Sequence, residues 1–437
     1  MQRPLINHCP ATINQSLINE SSYSLVTVEY FTFGSVYDLK EPYWAISSGF
    51  IINAAKNWII TNKHSVSGTS FGKITIRFFT GEETAAKLYY ADPQHDFSIL
   101  FVDYIPNHLK LSVQFSQSFP PNDAYIFMLG DGNITNYKFE EGYVISAHKN
   151  MGLFSSQILM TSIINQPGSS GAPIFSESGQ IVGLHFSSNG VYSAAVPSPY
   201  IMDAINNLHK NIVPSRQSIG AYFEYCNLSK LKQYSQLPYN LITKNEDALC
   251  IKRIIPNTPA DGVLKVADIL WSVKDTYIGA NLYLLEHIIN SANKPIKLSV
   301  YRYGKEQEFI LQPYNLTSYQ ITKALYIGGI IFFAADELSH LKSGVPLGRV
   351  FTSLATNHTA FRKLIYSSIE AVNGIEIKNL EDLVDVINIS NGSLFGNGLV
   401  VVKKHIYHII VMAVIYSLTI MNKQNMLICH LLMIYLL

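Results

Sequence analysis

Along residues 20–197 the hydrophobic positions come in short bursts. The segments "SLVTVEYF", "SSGFII", "WIITN", "KITIRFF", "FSILFVD", "YIFMLGD" and "QIVGLHF" are rich in β-branched and aromatic residues and are bounded by turn formers. Such runs predict strands, and their regular recurrence predicts a β-barrel or sandwich. No useful length of helical periodicity lies between them. The period changes at Ser198-Pro199, a capping serine followed by proline at the first helical position. Ile201, Ala204, Ile205 and Leu208 then follow at i, i+3, i+4 and i+7, which predicts a helix with one apolar face. This helix closes a first unit, and "VPSRQS" reads as a linker.

From Ser218 onward the pattern repeats loosely. One copy runs through "NTPADGVLKVADILWSV", the helix-like "NLYLLEHIINSA" and the strand-like "IKLSVYRY". The other runs through "SSIEAVNGIEIKNLEDLVDVI" and "LVVVKK", with Leu380, Leu383, Val384 and Ile387 on one helical stripe. Val273 and Val372 take equivalent strand positions, so two α+β modules of similar size are expected. The early part of the second copy, "IIFFAADELSH", matches weakly. The expected divisions are residues 20–211, 216–313, 322–404 and a hydrophobic tail, 405–437.

A chain of 437 residues is too long for one ordinary core, which agrees with several units. Hydrophobic residues make up 48 %, enough for packed cores. The net charge of +1 and the lack of a basic block argue against nucleic-acid binding. Cys9, Cys226, Cys250 and Cys429 have no metal-ligand spacing, so no metal or cofactor is expected. They read as reduced structural thiols, although Cys226 and Cys250 would pair in a compact, oxidised region. The opening "MQRPLINHCPATINQ" has no signal-peptide core, so a cytoplasmic or membrane-associated location is expected. Ile406 to Met421 forms 16 residues without formal charge, a helix of roughly 24 Å against a hydrocarbon core of roughly 30 Å. A short or interfacial membrane anchor, a buried final strand plus helix, and an aberrant or truncated C-terminus compete there.

Serine hydrolysis needs a nucleophile, a base, an orienting carboxylate and N–H donors for the oxyanion. In Gly168-Ser169-Ser170-Gly171 only Ser170 has glycine both two before and one after. Such glycines let successive N–H groups converge, though a plain Gly/Ser turn reads the same way. His64 lies just past the apolar strand in "WIITNKHS", where a histidine can be held by the strand and still face a cleft, though a satisfied or surface histidine reads the same way. Asp96 opens the apolar strand "FSILF", a place where a carboxylate needs a hydrogen-bond partner. Asp92 and Asp103 look like turn positions, and His95 points away from Asp96. The order His, Asp, Ser is that of the chymotrypsin arrangement and suits a site between two small barrels.

The blocks "GFIINAAKNWIITNKHS", "DPQHDFSILFVD" and "NQPGSSGAPIFSESGQIVGLHF" resemble those of the HtrA/Deg family of trypsin-like serine proteases, and "NTPADGVLKVADILWSV" resembles its PDZ domains. The resemblance covers about residues 22–404. It implies a mainly β fold, a chymotrypsin/trypsin-like double β-barrel followed by two α+β PDZ-like domains. It implies His64 as general base, Asp96 as orienting acid, Ser170 as nucleophile, and the N–H groups of Gly168, Ser169 and Ser170 as the oxyanion hole. Ser169, Ala172 and Ser65 depart from the usual asparagine, glycine and valine. In trypsin-like folds the specificity-pocket floor lies six residues before the nucleophile, here Ile164, with Leu184, His185 and Phe186 as the wall; aliphatic residues are the expected fit. The peptide-binding loops implied are Ile219, Gly220 and Ala221 in "SIGAY" and Gly328 and Gly329 in "YIGGI". The implied substrates are unfolded or damaged polypeptides. The implied assembly is a homo-trimer or larger, with "VEYFTFGSVY" as a candidate contact. A non-proteolytic chaperone or adaptor with an unassembled site is the alternative.

Overall fold

The computed structural model describes residues 15–35, 43–66, 70–109, 113–131, 137–150, 157–164, 167–235, 247–321, 323–327, 330–354, 367–372, 374–390 and 398–404, with short pieces of 407–434. After a short helix, α1 (Gln15–Ser22), come β1 (Leu25–Ser35), β2 (Tyr43–Asn53), β3 (Trp58–Thr61), the single-turn α2 (Lys63–Val66), β4 (Ser70–Phe78), β5 (Glu83–Ala91) and β6 (Ser98–Val102). The six strands close into a barrel in the order β1-β2-β3-β6-β5-β4. A second barrel holds β7 (Tyr125–Asp131), β8 (Tyr137–Asn150), β9 (Gln157–Thr161), β10 (Pro173–Ser176), β11 (Ile181–Ser188) and β12 (Ser193–Pro197), in the order β10-β11-β12-β9-β8-β7. The double barrel expected from the sequence is therefore present.

The strand alternation sorts side chains between cores. In β3, Ile59 packs into the first barrel with Val28, Ile76 and Leu100, while Trp58 and Ile60 turn outward to the core between the barrels. That shared core also takes Phe97, Phe127, Phe175 and Leu184, and it is capped by α3 (Ser198–His209) through Ile201, Ala204, Ile205 and Leu208. The apolar stripe of this helix was legible in the sequence, but its cap was not. Pro197 is the N-cap and Ser198 is already helical. The Ser198 hydroxyl donates to Ser116 O, 2.8 Å away, tying the helix to the second barrel instead of capping it.

The chain continues into a sheet of β14 (Ala221–Asn227), β15 (Asp247–Ile254), β16 (Ile269–Val273), β18 (Ile296–Arg302) and β19 (Lys305–Leu311). β13 (Gln217–Ser218) pairs with β20 (Tyr314–Asn315), and β17 (Thr276–Tyr277) folds back on β16. The helix α4 (Leu228–Ser235) follows β14, and α5 (Leu282–Asn290) packs Leu282, Leu285 and Ile289 on the sheet. Cys226 and Cys250 form a disulfide across β14 and β15, Cα–Cα 5.8 Å, where reduced thiols were expected. The antiparallel pairing brings the two residues close enough to bond.

The second copy repeats this order. Ser368–Val372 is followed by Ile375–Glu376, the helix Leu380–Ser390 and Gly398–Lys404. Val273 pairs with Thr276 and Val372 with Ile375, so the two valines do occupy equivalent places. Tyr407–Ile415 in the tail is a strand paired with Gly398–Lys404. No helix among the described residues is long and apolar enough to cross a membrane.

Candidate active site

The register of β3 against β6 builds the first half of the site. Thr61 lies opposite Ser98, so the chain leaving β3 and the chain entering β6 emerge at the same end of the barrel. His64 sits in α2, just beyond β3, and Asp96 just before β6. Both oxygens of Asp96 engage His64: the backbone N–H donates to Oδ1 at 2.9 Å, and Nδ1 lies 2.6 Å from Oδ2. The Asp96 carbonyl accepts from Asn62 Nδ2 at 2.8 Å. With the carboxylate ionised, Nδ1 carries the proton and Nε2 is left able to accept one.

Burial raises the Asp96 carboxyl, but the hydrogen bonds and charge of His64, with help from Lys63, outweigh it and hold it below its usual value. Burial likewise lowers His64, and the hydrogen bond to Asp96 and its charge overcome this and raise the imidazole. The His64 side chain is half exposed, at 50 %, so it remains open to a reacting partner.

The serine loop is fixed from two sides. Ser48 on β2 donates its backbone N–H to Ser170 O at 2.7 Å and its hydroxyl to Gly168 O at 3.0 Å. Thr61, at the end of β3, donates its hydroxyl to Ser48 O at 2.7 Å. On the other side Gly171 N donates to His185 O, and His185 N to Ala172 O, both at 2.9 Å. These bonds hold the Ser170 loop between β2 and β11, beside the end of β3 that carries His64. Gly168 and Gly171 adopt φ of 102° and 88°. A Cβ at Gly171 would stand 2.0 Å from Ser48 O, so only glycine fits there. Among the described residues no backbone carbonyl accepts from the N–H groups of Gly168, Ser169 or Ser170. That leaves them available to an oxyanion.

Of the three departures from the family pattern, Ala172 alone has a local explanation. Ala172 is fully buried in the second barrel, and its methyl meets Gly130, where a Cβ would come within 3.0 Å. The extra methyl thus occupies the space over a glycine and does not crowd the loop. Ser169 is buried and its carbonyl accepts from Ala172 N. Ser65 is buried, and its hydroxyl has no hydrogen-bond partner among the described residues.

The pocket residues are dispersed. Ile164 is 56 % exposed, consistent with a floor that a substrate side chain would cover. Leu184 is fully buried in the core between the barrels, so its side chain takes no part in a pocket wall; alternation along β11 directs it inward. Phe186 packs against the edge of the same core. His185 is buried, and burial together with the charge of His64 pushes its imidazole down to about 3. It is a neutral neighbour of His64.

In the first downstream unit, Ile219 is buried and Gly220 has φ of 83°. A Cβ at Gly220 would meet Thr258 Oγ1 at 1.9 Å. Ile219 and Ala221 line a cavity with Phe223, Leu282, Leu285 and Glu286, between β14 and α5 and away from Ser170. Gly328 and Gly329 lie outside the described residues. Sequence reasoning missed Ser48, Arg216 and Glu286. Ser48 is one serine of the pair in "SSGFII", with nothing to mark it, and Arg216 and Glu286 find partners only through tertiary packing.

Residues 47–184 match the trypsin-like peptidase domain family. The chain is 22 % identical over 399 residues to a pro-apoptotic serine protease, NMA111, of Lodderomyces elongisporus, covering 85 % of this chain and 40 % of the relative. It is 26 % identical over 275 residues to a probable periplasmic serine endoprotease, DegP-like, of a Marinomonas species, covering 60 % of this chain and 55 % of the relative. Its likeness is to the HtrA-type serine proteases. The fold agrees: the HtrA-type protease AlgW with tripeptide superposes with a TM-score of 0.53 at 16 % identity, over 70 % of this chain and 97 % of that one. The family resemblance carried by the three sequence blocks is borne out. The chain spans about two fifths to just over half the length of these curated relatives.

Proposed function

We propose that the chain is a serine endopeptidase of the HtrA type, with His64, Asp96 and Ser170 as its triad. The observation that carries this is the two-point grip of Asp96 on His64 beside a serine loop whose N–H groups have no backbone acceptor among the described residues. Ser170 Oγ attacks the peptide carbonyl while His64 Nε2 takes its proton. The oxyanion is met by the N–H groups of Gly168, Ser169 and Ser170. His64 returns the proton to the leaving amine, and water activated by the same ring hydrolyses the acyl-enzyme. Asp96 keeps the ring in place and stabilises its charged form.

Residues 20–211 form the protease unit in this reading, and 216–313 and 322–404 form PDZ-like modules. The cavity lined by Ile219, Ala221, Phe223 and α5 supports strand addition of a peptide along β14, an edge of its sheet. Exposed Ile164 supports a preference for aliphatic over basic side chains. Unfolded or damaged polypeptides are the substrates proposed, and a homo-trimer or larger assembly the working form.

A serine-reactive phosphonate, with the adduct located by peptide mass, tests the reading. Labelling on Ser170, with casein cleavage that vanishes in Ser170→Ala, supports it. An adduct on Ser169, or none on the folded chain, rejects it. Aggregation suppression retained without any labelling would favour the chaperone or adaptor.

A further inference from the structure

A set of charged side chains lies buried behind Asp96 with no part in the chemistry above. Asp92 is fully buried. Its Oδ1 accepts from Gln94 N at 3.0 Å and from His95 N at 2.8 Å, with His95 Nδ1 at 3.2 Å. Its Oδ2 accepts from Tyr90 OH at 2.9 Å and from Arg216 Nε and Nη2 at 2.8 and 2.7 Å. The turn is closed by Asp92 N–H donating to Phe97 O at 3.1 Å, one residue beyond Asp96. Lys63, next to His64, donates to Asp92 O at 2.7 Å and to Pro93 O at 3.3 Å. One carboxylate therefore shapes the whole segment that presents Asp96.

The braces on that segment come from outside the barrels. Arg216 belongs to the linker after α3; it is buried and also donates to Tyr200 O at 3.3 Å. Glu286 belongs to α5. One of its oxygens accepts from Gln94 Nε2 at 2.6 Å, and the other lies 3.7 Å from His95 Nε2. His95 stacks on Tyr200 with ring centroids 4.1 Å apart. A charge set buried at this depth is costly to assemble and more costly to break at one member, so its geometry is tightly held.

We propose that Arg216 and Glu286 are positioning residues for Asp96: acting through Asp92, Gln94 and His95, they brace the 92–97 turn that aims the Asp96 carboxylate at His64. This rests on the triad reading above. On this view the linker and the first downstream module are part of the catalytic geometry, beyond any role in binding.

The test uses the full chain and compares wild type, Glu286→Gln, the paired change Asp92→Asn with Arg216→Gln, and Arg302→Gln as a control. Arg302 pairs with Asp268 inside the downstream unit, at 2.7 Å, and its other partners among the described residues, Val263 O and the Phe309 ring, lie in the same unit. Phosphonate labelling of Ser170 is followed against pH, alongside kcat and KM on a peptide substrate. Glu286→Gln is expected to lower labelling and kcat about tenfold with KM nearly unchanged, within the roughly hundredfold that a misplacement of about 1 Å can cost. Its acid limb should move toward the ordinary imidazole value, because a displaced Asp96 no longer raises His64. Arg302→Gln should lower the unfolding midpoint and leave the rate and the acid limb alone. Should the paired change fail to fold, Glu286→Gln, which keeps the side chain's size but removes the negative charge beside His95 Nε2, carries the test. Folded Glu286→Gln that labels at the wild-type rate with an unmoved acid limb overturns the positioning role while the triad stands. A wild-type chain that takes no label overturns both.

Discussion

The ring of His64 is pulled two ways, by burial that favours the neutral form and by Asp96 that favours the charged one, and Asp96 prevails. A protonated His64 cannot take the Ser170 proton. Labelling of Ser170 should therefore fall as the pH drops through a value above about 6.5, the ordinary imidazole figure. In Asp96→Asn the acid limb should move down and the rate should fall by up to about 10⁴, since the amide favours the wrong tautomer. Equal labelling of Asp96→Asn and wild type would remove Asp96 from its role. This pair was legible in the sequence because each residue stands at the end of an apolar run, and the register Thr61–Ser98 brings those ends together. Asp92 was legible only as a turn residue. Its burial depends on Arg216, 124 positions away, and no local pattern announces such a partner.

At the scale of elements, the strands and α3 were readable because period-2 and period-3.6 burial leave direct marks on the chain. What escaped was the fit of one element against the next. Leu184 read as a pocket wall from its strand, yet its face of β11 packs on Phe127 and Phe175. Ala172 stands where the family usually has glycine, and β7 offers Gly130 opposite its methyl. That complementarity is testable. In Gly130→Ala the new Cβ would stand 3.0 Å from the Ala172 methyl and 3.5 Å from Ser48 Oγ. Overpacking of this kind costs about 1–3 kcal/mol. Adding Ala172→Gly should recover part of that loss, so the double variant should melt above Gly130→Ala alone. Strictly additive losses in the double variant would show that the two positions do not share this space.

At the scale of the molecule, the units meet around the turn that carries Asp96. Gln320 Nε2 donates to Ala91 O at 3.0 Å, and Leu316 N to Arg216 O at 2.8 Å. Tyr283 of α5 donates to Asp203 of α3 at 3.0 Å. From beyond the first downstream unit, Glu337 accepts a hydrogen bond from Tyr222 OH. Burial raises the Glu337 carboxyl, the Tyr222 hydrogen bond opposes it, and the balance leaves it at about 7. Because this folded value lies above the ordinary 4.5, the protonated side chain is the one its buried site favours. Its contribution is fully present below about 4.5 and is lost as the pH rises through about 7. The unfolding midpoint of wild type relative to Glu337→Gln should therefore fall between about pH 5 and pH 8, by an amount worth at most a few kcal/mol after allowance for solvent at the junction. The amide of the Glu337→Gln variant can still accept from Tyr222 but carries no charge at either pH, so the difference isolates the ionisation. A wild-type midpoint that tracks Glu337→Gln across this range would mean that Glu337 ionises in water and that this junction opens in solution.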